Sequence, residues 1–170
     1  DIGNYTVNAT ATSAANITVR PLTVSATAAN KIYDGTTSAV LSCTVTGAVS
    51  GDAVLCTGTG VFDSKTVGTG KLVTVSGLTL SGPAAGNYVL GAGPATTTAD
   101  ITALAVTPTV TAANKVYDGT TSAVVSCTLT GVLGVDAVSC TGTGAFDSKT
   151  VGTGKLVTVS GVSLSGPEAG

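Results

Sequence analysis

Alternation of apolar and polar side chains is the clearest order along this chain. Leu41, Cys43 and Val45 fall on one face of an extended segment, and Ser42, Thr44 and Thr46 fall on the other. That period of two marks a half-buried strand. After the turn-like Ala48-Val49-Ser50-Gly51, Val54 and Cys56 share a face and Leu55 opposes them. The spacing predicts a hairpin in which Cys43 faces Cys56 and Val45 faces Val54, both pairs turned inward. Other β-branched runs bounded by Gly and Pro predict strands over 22–26, 71–75, 78–80, 88–90, 99–103 and 106–111. Asp34-Gly35, Gly58-Thr59-Gly60 and Gly68-Thr69-Gly70 read as turns.

The pattern occurs twice. Residues 31–86 recur as 115–170 at a constant offset of 84, with 44 of 56 positions identical and no gap. Self-similarity at a fixed period is the mark of a repeat architecture. Gly3-Asn4-Tyr5 and Asn16-Ile17-Thr18 resemble Gly86-Asn87-Tyr88 and Asp100-Ile101-Thr102. Residues 1–20 therefore read as the closing strands of a preceding repeat, 21–104 as a complete repeat, and 105–170 as a second repeat without its last strands. Two explanations stand side by side: a window on a longer array, or donor-strand exchange. In the second, residues 4–20, with Asn4, Tyr5, Val7, Ile17 and Val19, complete the last repeat of a neighbouring subunit, since an open sheet edge welcomes an added strand. The swaps Ile32/Val116, Leu41/Val125, Val45/Leu129 and Leu78/Val162 mark a buried aliphatic face. Leu55/Ser139, Gly51/Val135 and Ala84/Glu168 change polarity and mark exposed positions.

Composition narrows the class. Val and Thr favour strands, and the strong helix formers are scarce, so the chain reads as all-β. Seven or more short strands in about 84 residues suggest tandem immunoglobulin-like β-sandwich repeats, with a β-grasp arrangement as the alternative. With 4% aromatics, the core must be aliphatic and small, and small cores often need a staple. Cysteine supplies one: Cys43 with Cys56 and Cys127 with Cys140 are favoured by proximity and by duplication, out of three possible connectivities. Four buried free thiols are the alternative reading. Disulfides imply an oxidising compartment, hence a secreted or cell-surface protein. The start at Asp1 and the lack of Met suggest a processed or excised portion.

Charge and chemistry add mostly exclusions. The net charge is −2 with no basic patch, which argues against nucleic acid. No apolar run approaches the roughly 20 residues of a membrane span. Without His, a Ser–His–Asp or Cys–His arrangement cannot form within the chain, and no phosphate-binding glycine loop is present. The expectation is no enzyme, no cofactor and no metal. Asp34, Asp52 and Asp63, with Asp118, Asp136 and Asp147, are dispersed singly, which suits turn capping better than Ca²⁺. Lys31, Asn87 and Asp34, with Lys71 as a substitute, are the nearest to an isopeptide trio.

Three separated motifs carry a resemblance that covers essentially the whole chain. They are Lys31-Ile32-Tyr33-Asp34-Gly35-Thr36-Thr37, the run Phe62 to Lys71, and Gly86-Asn87-Tyr88; the first two recur in order in the second repeat. The pattern resembles the YDG-type repeat domains of large bacterial surface proteins, including haemagglutinin-like adhesins. The cysteine pair is a departure from that pattern. The resemblance implies an extracellular, stalk-forming protein with a role in adhesion or matrix assembly, and no ligand-binding residue. Tyr33, Asp34 and Gly35, with Tyr117, Asp118 and Gly119, are expected as a core-and-turn motif. The expected function is a structural module of a stalk or filament, with neighbouring repeats or identical subunits head to tail as partners. The alternative is a module that itself binds host glycan or protein.

Overall fold

Threonine and valine dominate the segments that alternation marks as extended, and those segments are strands because their side chains suit a pleated, half-buried surface. The computed structural model describes residues 2–4, 6 and 10–169. The first repeat contributes β1 (Arg20–Ala28), β2 (Lys31–Ile32), β3 (Ser38–Ala39), β4 (Leu41–Thr46), β5 (Leu55–Phe62), β6 (Gly68–Ser81), β7 (Tyr88–Leu90) and β8 (Thr96–Thr102). The second contributes β9 (Thr107–Ala112), β10 (Ser122–Ala123), β11 (Val125–Thr130), β12 (Ser139–Phe146) and β13 (Val157–Ser165). Short 3-10 turns at Ile2–Asn4 and Ala85–Asn87 are the helical segments among the described residues. The protein is all-β and sandwich-like, and the helix that a β-grasp fold requires is not found among the described residues.

Two sheets make the first repeat, ordered β4-β1-β7 and β2-β8-β6-β5-β3. Neighbouring strands pair antiparallel except β1 with β7 and β2 with β8, which run parallel. The predicted Cys43–Cys56 hairpin does not form. β4 pairs with β1, placing Cys43 beside Ala26, while β5 pairs with β6 in the other sheet. The glycine-containing connection between them carries the chain from one sheet to the other. Cys43 and Cys56 still meet, with Cα atoms 5.6 Å apart, and Cys127 and Cys140 repeat the arrangement at 5.6 Å. The bridge is thus an inter-sheet staple, at a separation well inside the ~10 Å spacing of stacked sheets.

That close approach explains a second departure. Gly58-Thr59-Gly60 is not a turn but the middle of β5, with Cys56, Gly58, Gly60 and Phe62 turned inward. A Cβ on Gly60 would lie 2.8 Å from Leu41 Cγ and 3.1 Å from Ala39 Cβ, and one on Gly144 would lie 2.5 Å from Val125 Cγ1. Glycine is required where the sheets are drawn together. Gly68-Thr69-Gly70 likewise belongs to β6, at a register shift where Gly70 has φ +60°.

Phe62, Val73, Ala99 and Ile101 form the centre of the core, with Ala28, Tyr33, Ala39 and Leu41 packed against them. Among the described residues, nine of the eleven buried apolar ones lie in the first repeat, and Ala123 and Cys140 are those of the second. Phe146 and Val157, the counterparts of Phe62 and Val73, are half-buried. Residues 105–170 include no counterpart of 87–102, and so no equivalent of β7 or β8. Two further losses follow from this one. Lys115–Val116 is not a strand, although Lys31–Ile32 is, and β13 has 9 residues where β6 has 14. Ile32 and Val116, expected to be buried, are 60% and 89% exposed. Their side chains point away from the core at the sheet margin. The chain exposes 11520 Å², against about 7,500 Å² for a compact monomer of this mass.

Replacing Cys43 and Cys56 together by Ala should lower the unfolding free energy of the first repeat by about 3 kcal/mol, the loop-closure value for a ring of about 14 residues. Urea denaturation followed by circular dichroism checks this; an unchanged midpoint would contradict the staple.

Candidate functional site

The two motif loops of each repeat are built around lysines. Lys31 turns its ammonium back over its own loop, donating to Asp34 Oδ1 at 2.7 Å, to the Thr36 carbonyl at 2.8 Å and to the Ser38 carbonyl at 3.0 Å. It also lies 5.4 Å from the centroid of the Phe62 ring, a cation–π distance. Asp34 Oδ1 in turn accepts the Thr36 N–H at 2.9 Å and its hydroxyl at 2.8 Å. The chain reverses there through Gly35 at φ +76°, a conformation that glycine adopts without cost. Lys115 and Asp118 repeat the cage at 2.8 Å, with Gly119 at φ +77°. In the second motif, Lys71 pairs with Asp63 at 3.0 Å and donates to Ser64 Oγ at 2.7 Å; Lys155, Asp147 and Ser148 match them. These contacts consume the lysines considered for a cross-link. Lys31 meets Asp34 and not Asn87, which lies in the Ala85–Asn87 turn. No cluster of three metal-ligating side chains occurs among the described residues.

The cages set the acidities. Lys31, then the Thr36 amide and hydroxyl, lower the Asp34 carboxyl to about 2, and Lys115 and Thr120 do the same for Asp118. Asp63 and Asp147 are also held below the ordinary carboxylate value, chiefly by Lys71 and Lys155.

A different set of side chains joins the repeats. The Tyr33 hydroxyl donates to Asp136 Oδ1 at 3.2 Å, and Lys65 Nζ lies 3.8 Å from the same oxygen. The Asp136 side chain is only 3% exposed. Leu133 Cδ1 stands 3.4 Å from the place a Cβ on Gly35 would occupy, so the second repeat rests on the turn of the first. The Lys65 ammonium is pushed above its ordinary value, chiefly by the Tyr33 phenol beside it and then by Asp136 and Glu168. The four residues between β8 and β9 keep this junction short.

Within the first repeat, the residue equivalent to Asp136 does something else. Asp52 Oδ2 accepts from the Tyr88 hydroxyl at 2.5 Å, and that hydroxyl accepts the Val49 N–H at 3.0 Å. This locks the closing segment onto the connection between β4 and β5 and raises the Tyr88 phenol above its ordinary value. β8 completes the closure. Asp100 accepts the Gly70 N–H at 2.7 Å and donates its own N–H to Asn30 at 2.8 Å, while the Tyr33 N–H reaches the Thr102 carbonyl at 2.8 Å. The same place in the second repeat is open: a cavity of about 490 Å³ lined by Ala112, Asn114, Lys115, Tyr117, Phe146 and Val157, among others.

The predicted residues fall accordingly. Cys43, Cys56, Cys127 and Cys140 form the two staples. Tyr33 is half-buried, packs on the core and sends its hydroxyl to the neighbouring repeat. Tyr117, expected in the core, is 60% exposed. Asn4 is exposed in the Ile2–Asn4 turn; Ile17 and Val19 are 103% and 54% exposed. Tyr5 and Val7 lie outside the described residues. Sequence reasoning assigned no role to Lys65 or Leu133 and read Asp136 as a turn cap, not as a junction residue. Their one trace was the cluster of non-identical positions 48–51 beside an unchanged Asp52/Asp136.

The YDG domain family model matches residues 18–99 and 102–170. No curated protein and no solved structure matches the chain. The lysine cages carry a direct expectation. A carboxylate whose folded pKa is depressed stabilises above its unfolded value, near 4, and loses that stabilisation as pH falls through the folded one. Stability should therefore be level from pH 7 to about 5 and fall between about 4 and 2. Carboxyl-carbon NMR should place the Asp34 and Asp118 midpoints near 2; midpoints near 4 would contradict the cages.

Proposed function

The chain belongs to the YDG domain family, and from that premise we propose that it is a structural repeat module of an extracellular bacterial stalk or filament, assembling end to end and supporting adhesion or matrix formation in the manner of bacterial surface adhesins. In this reading residues 21–104 and 105–170 are successive units, and residues 1–20 belong to the closing part of a unit before them. The observation that carries the proposal is the junction. Two nearly identical repeats meet by a buried Asp136 carboxylate clamped between Tyr33 and Lys65, across a connection of four residues. A stalk needs successive units held in one direction, and stability in such arrays is roughly a sum of unit and neighbour terms.

Other features agree with this reading. The two cysteine pairs suit an oxidising environment outside the cell. Only 9% of residues are charged, and the caged lysines and their aspartates are occupied in holding loops. Each disulfide also limits how far a unit extends under load, since the chain between its cysteines, 13 positions apart, stays looped.

Small-angle X-ray scattering of dilute chain tests the rigid junction. The unaltered chain should scatter as one body of fixed length. A Tyr33→Phe, Asp136→Ala double variant should broaden the distance distribution, with each repeat's circular dichroism unchanged. An unaltered chain already as loosely jointed as the variant would refute the stalk reading.

A further inference from the structure

The segment that enters the first repeat and the segment that leaves it run side by side in the same direction. Arg20, Pro21 and Leu22 of β1 pair parallel with Tyr88, Val89 and Leu90 of β7. Further on, Lys31 and Ile32 of β2 pair parallel with Ile101 and Thr102 of β8. From Arg20 to Lys31 one segment advances 11 residues, and from Tyr88 to Ile101 the other advances 13. Both pass from one sheet to the other on the way. At the ordinary rise of a strand the two segments lie alongside each other for roughly 35 Å. Arg20, where the chain comes in, stands at one end of that span, and Thr102, where it goes out, stands at the other.

The outgoing end is joined more densely than two ladder pairs require. The Tyr33 N–H donates to the Thr102 carbonyl at 2.8 Å, and the Thr102 hydroxyl donates to the Lys31 carbonyl at 3.3 Å. The Asp100 N–H donates to Asn30 Oδ1 at 2.8 Å, and Asn30 Nδ2 donates back to Asp100 Oδ2 at 3.4 Å. Ile101, in the middle of these contacts, is 1% exposed, so the strand cannot slide without drawing it through the core. At the incoming end the Gly91 N–H donates to the Leu22 carbonyl at 2.8 Å.

We propose that these two parallel segments are a shear clamp, a mechanical lock that sets the tension at which the repeat opens. Its use rests on the stalk reading above, and it names the part of the unit that carries the load. Tension along the chain pulls Arg20 one way and Thr102 the other, along the strands. The hydrogen bonds between the segments lie across that direction, so they are loaded together and yield together. An antiparallel pair pulled from one end peels instead, and its bonds yield one at a time. Opening the clamp also makes β1 slide past β4, with which it pairs from Thr23 to Ala28. Cys43 of β4 is bonded to Cys56 of β5 in the other sheet. The sheet that takes the incoming pull is thereby tied to the sheet that takes the outgoing one. Load then passes directly to the next repeat, across the four residues between β8 and β9 and through the Tyr33–Asp136 contact.

Pulling the full chain in two directions tests the clamp. Azide-bearing residues at Val19 and Ala103, both exposed, coupled to handles in optical tweezers, load the segments along their length. Handles at Val67 and Ala103 sit instead at neighbouring ends of β6 and β8, where Gly68 pairs with Ile101, and peel those strands apart. At one loading rate the 19/103 chain should open at a force several-fold above that of the 67/103 chain, since forced unfolding follows the barrier along the pulled direction. Asn30→Ala, at an exposed position, should lower the 19/103 force. Reduction of the disulfide should lengthen the 19/103 step by about 45 Å, the extended length of 13 positions, which marks the event as the opening of the whole stapled unit. Equal forces in the two directions, or an Asn30→Ala chain that opens at the unaltered force, would overturn the proposal. X-ray scattering of the same chain separates the two failures. A rigid chain with equal forces loses the clamp and keeps the stalk reading, whereas a loosely jointed chain with a strong directional difference keeps the clamp and loses the stalk reading.

Discussion

Closure of the sandwich by its last strand is the interaction on which the rest of the first repeat depends. β8 supplies Ala99 and Ile101 to the core, pairs on one side with β6 and on the other with β2, and carries the Asp100 and Thr102 groups that satisfy loop amides. Residues 105–170 serve as an internal control, because their sequence is nearly the same and they include no counterpart of β8. There the pairing edge shortens from 14 residues to 9, the Lys-Val dipeptide is no longer a strand, and Phe146 and Val157 lose their cover. Nearly identical local sequence takes two conformations according to whether a partner edge is present, as expected when strand preference reflects packing and pairing more than intrinsic backbone bias.

Around that closure the molecule uses few, repeated devices. A disulfide draws the two sheets together, and inward glycines on β5 and β12 make the approach possible. Lysines folded over their own loops replace a larger apolar core at the sheet margins, with Phe62 and Phe146 lying beneath two of them. One aspartate position serves two purposes: at 52 it fastens a closing segment through Tyr88, and at 136 it fastens the preceding repeat through Tyr33. A carboxylate with two acceptor oxygens suits such a double use.

Much of this was legible in the sequence where one residue type does one job. Alternation located β1, β4, β7 and β9 to within a few residues, and duplication singled out the cysteine partners. The hairpin was misread because alternation reports which face a residue takes and not which sheet its strand joins. Gly58-Thr59-Gly60 was misread because a glycine excluded by a close neighbour looks, in sequence, like one chosen for a turn. Tyr33 illustrates the remaining gap. Its ring is a core residue, as expected, but its hydroxyl serves a carboxylate 103 residues away, a relation that no local pattern encodes.

Native-state hydrogen exchange on dilute, monomeric chain tests the closure most directly. The amides of Tyr33 and of residues 71–74 should exchange orders of magnitude more slowly than those of Tyr117 and residues 155–158, although the flanking sequences are the same. Equal protection in the two repeats would mean that each holds its core without the last strand, and would contradict the account.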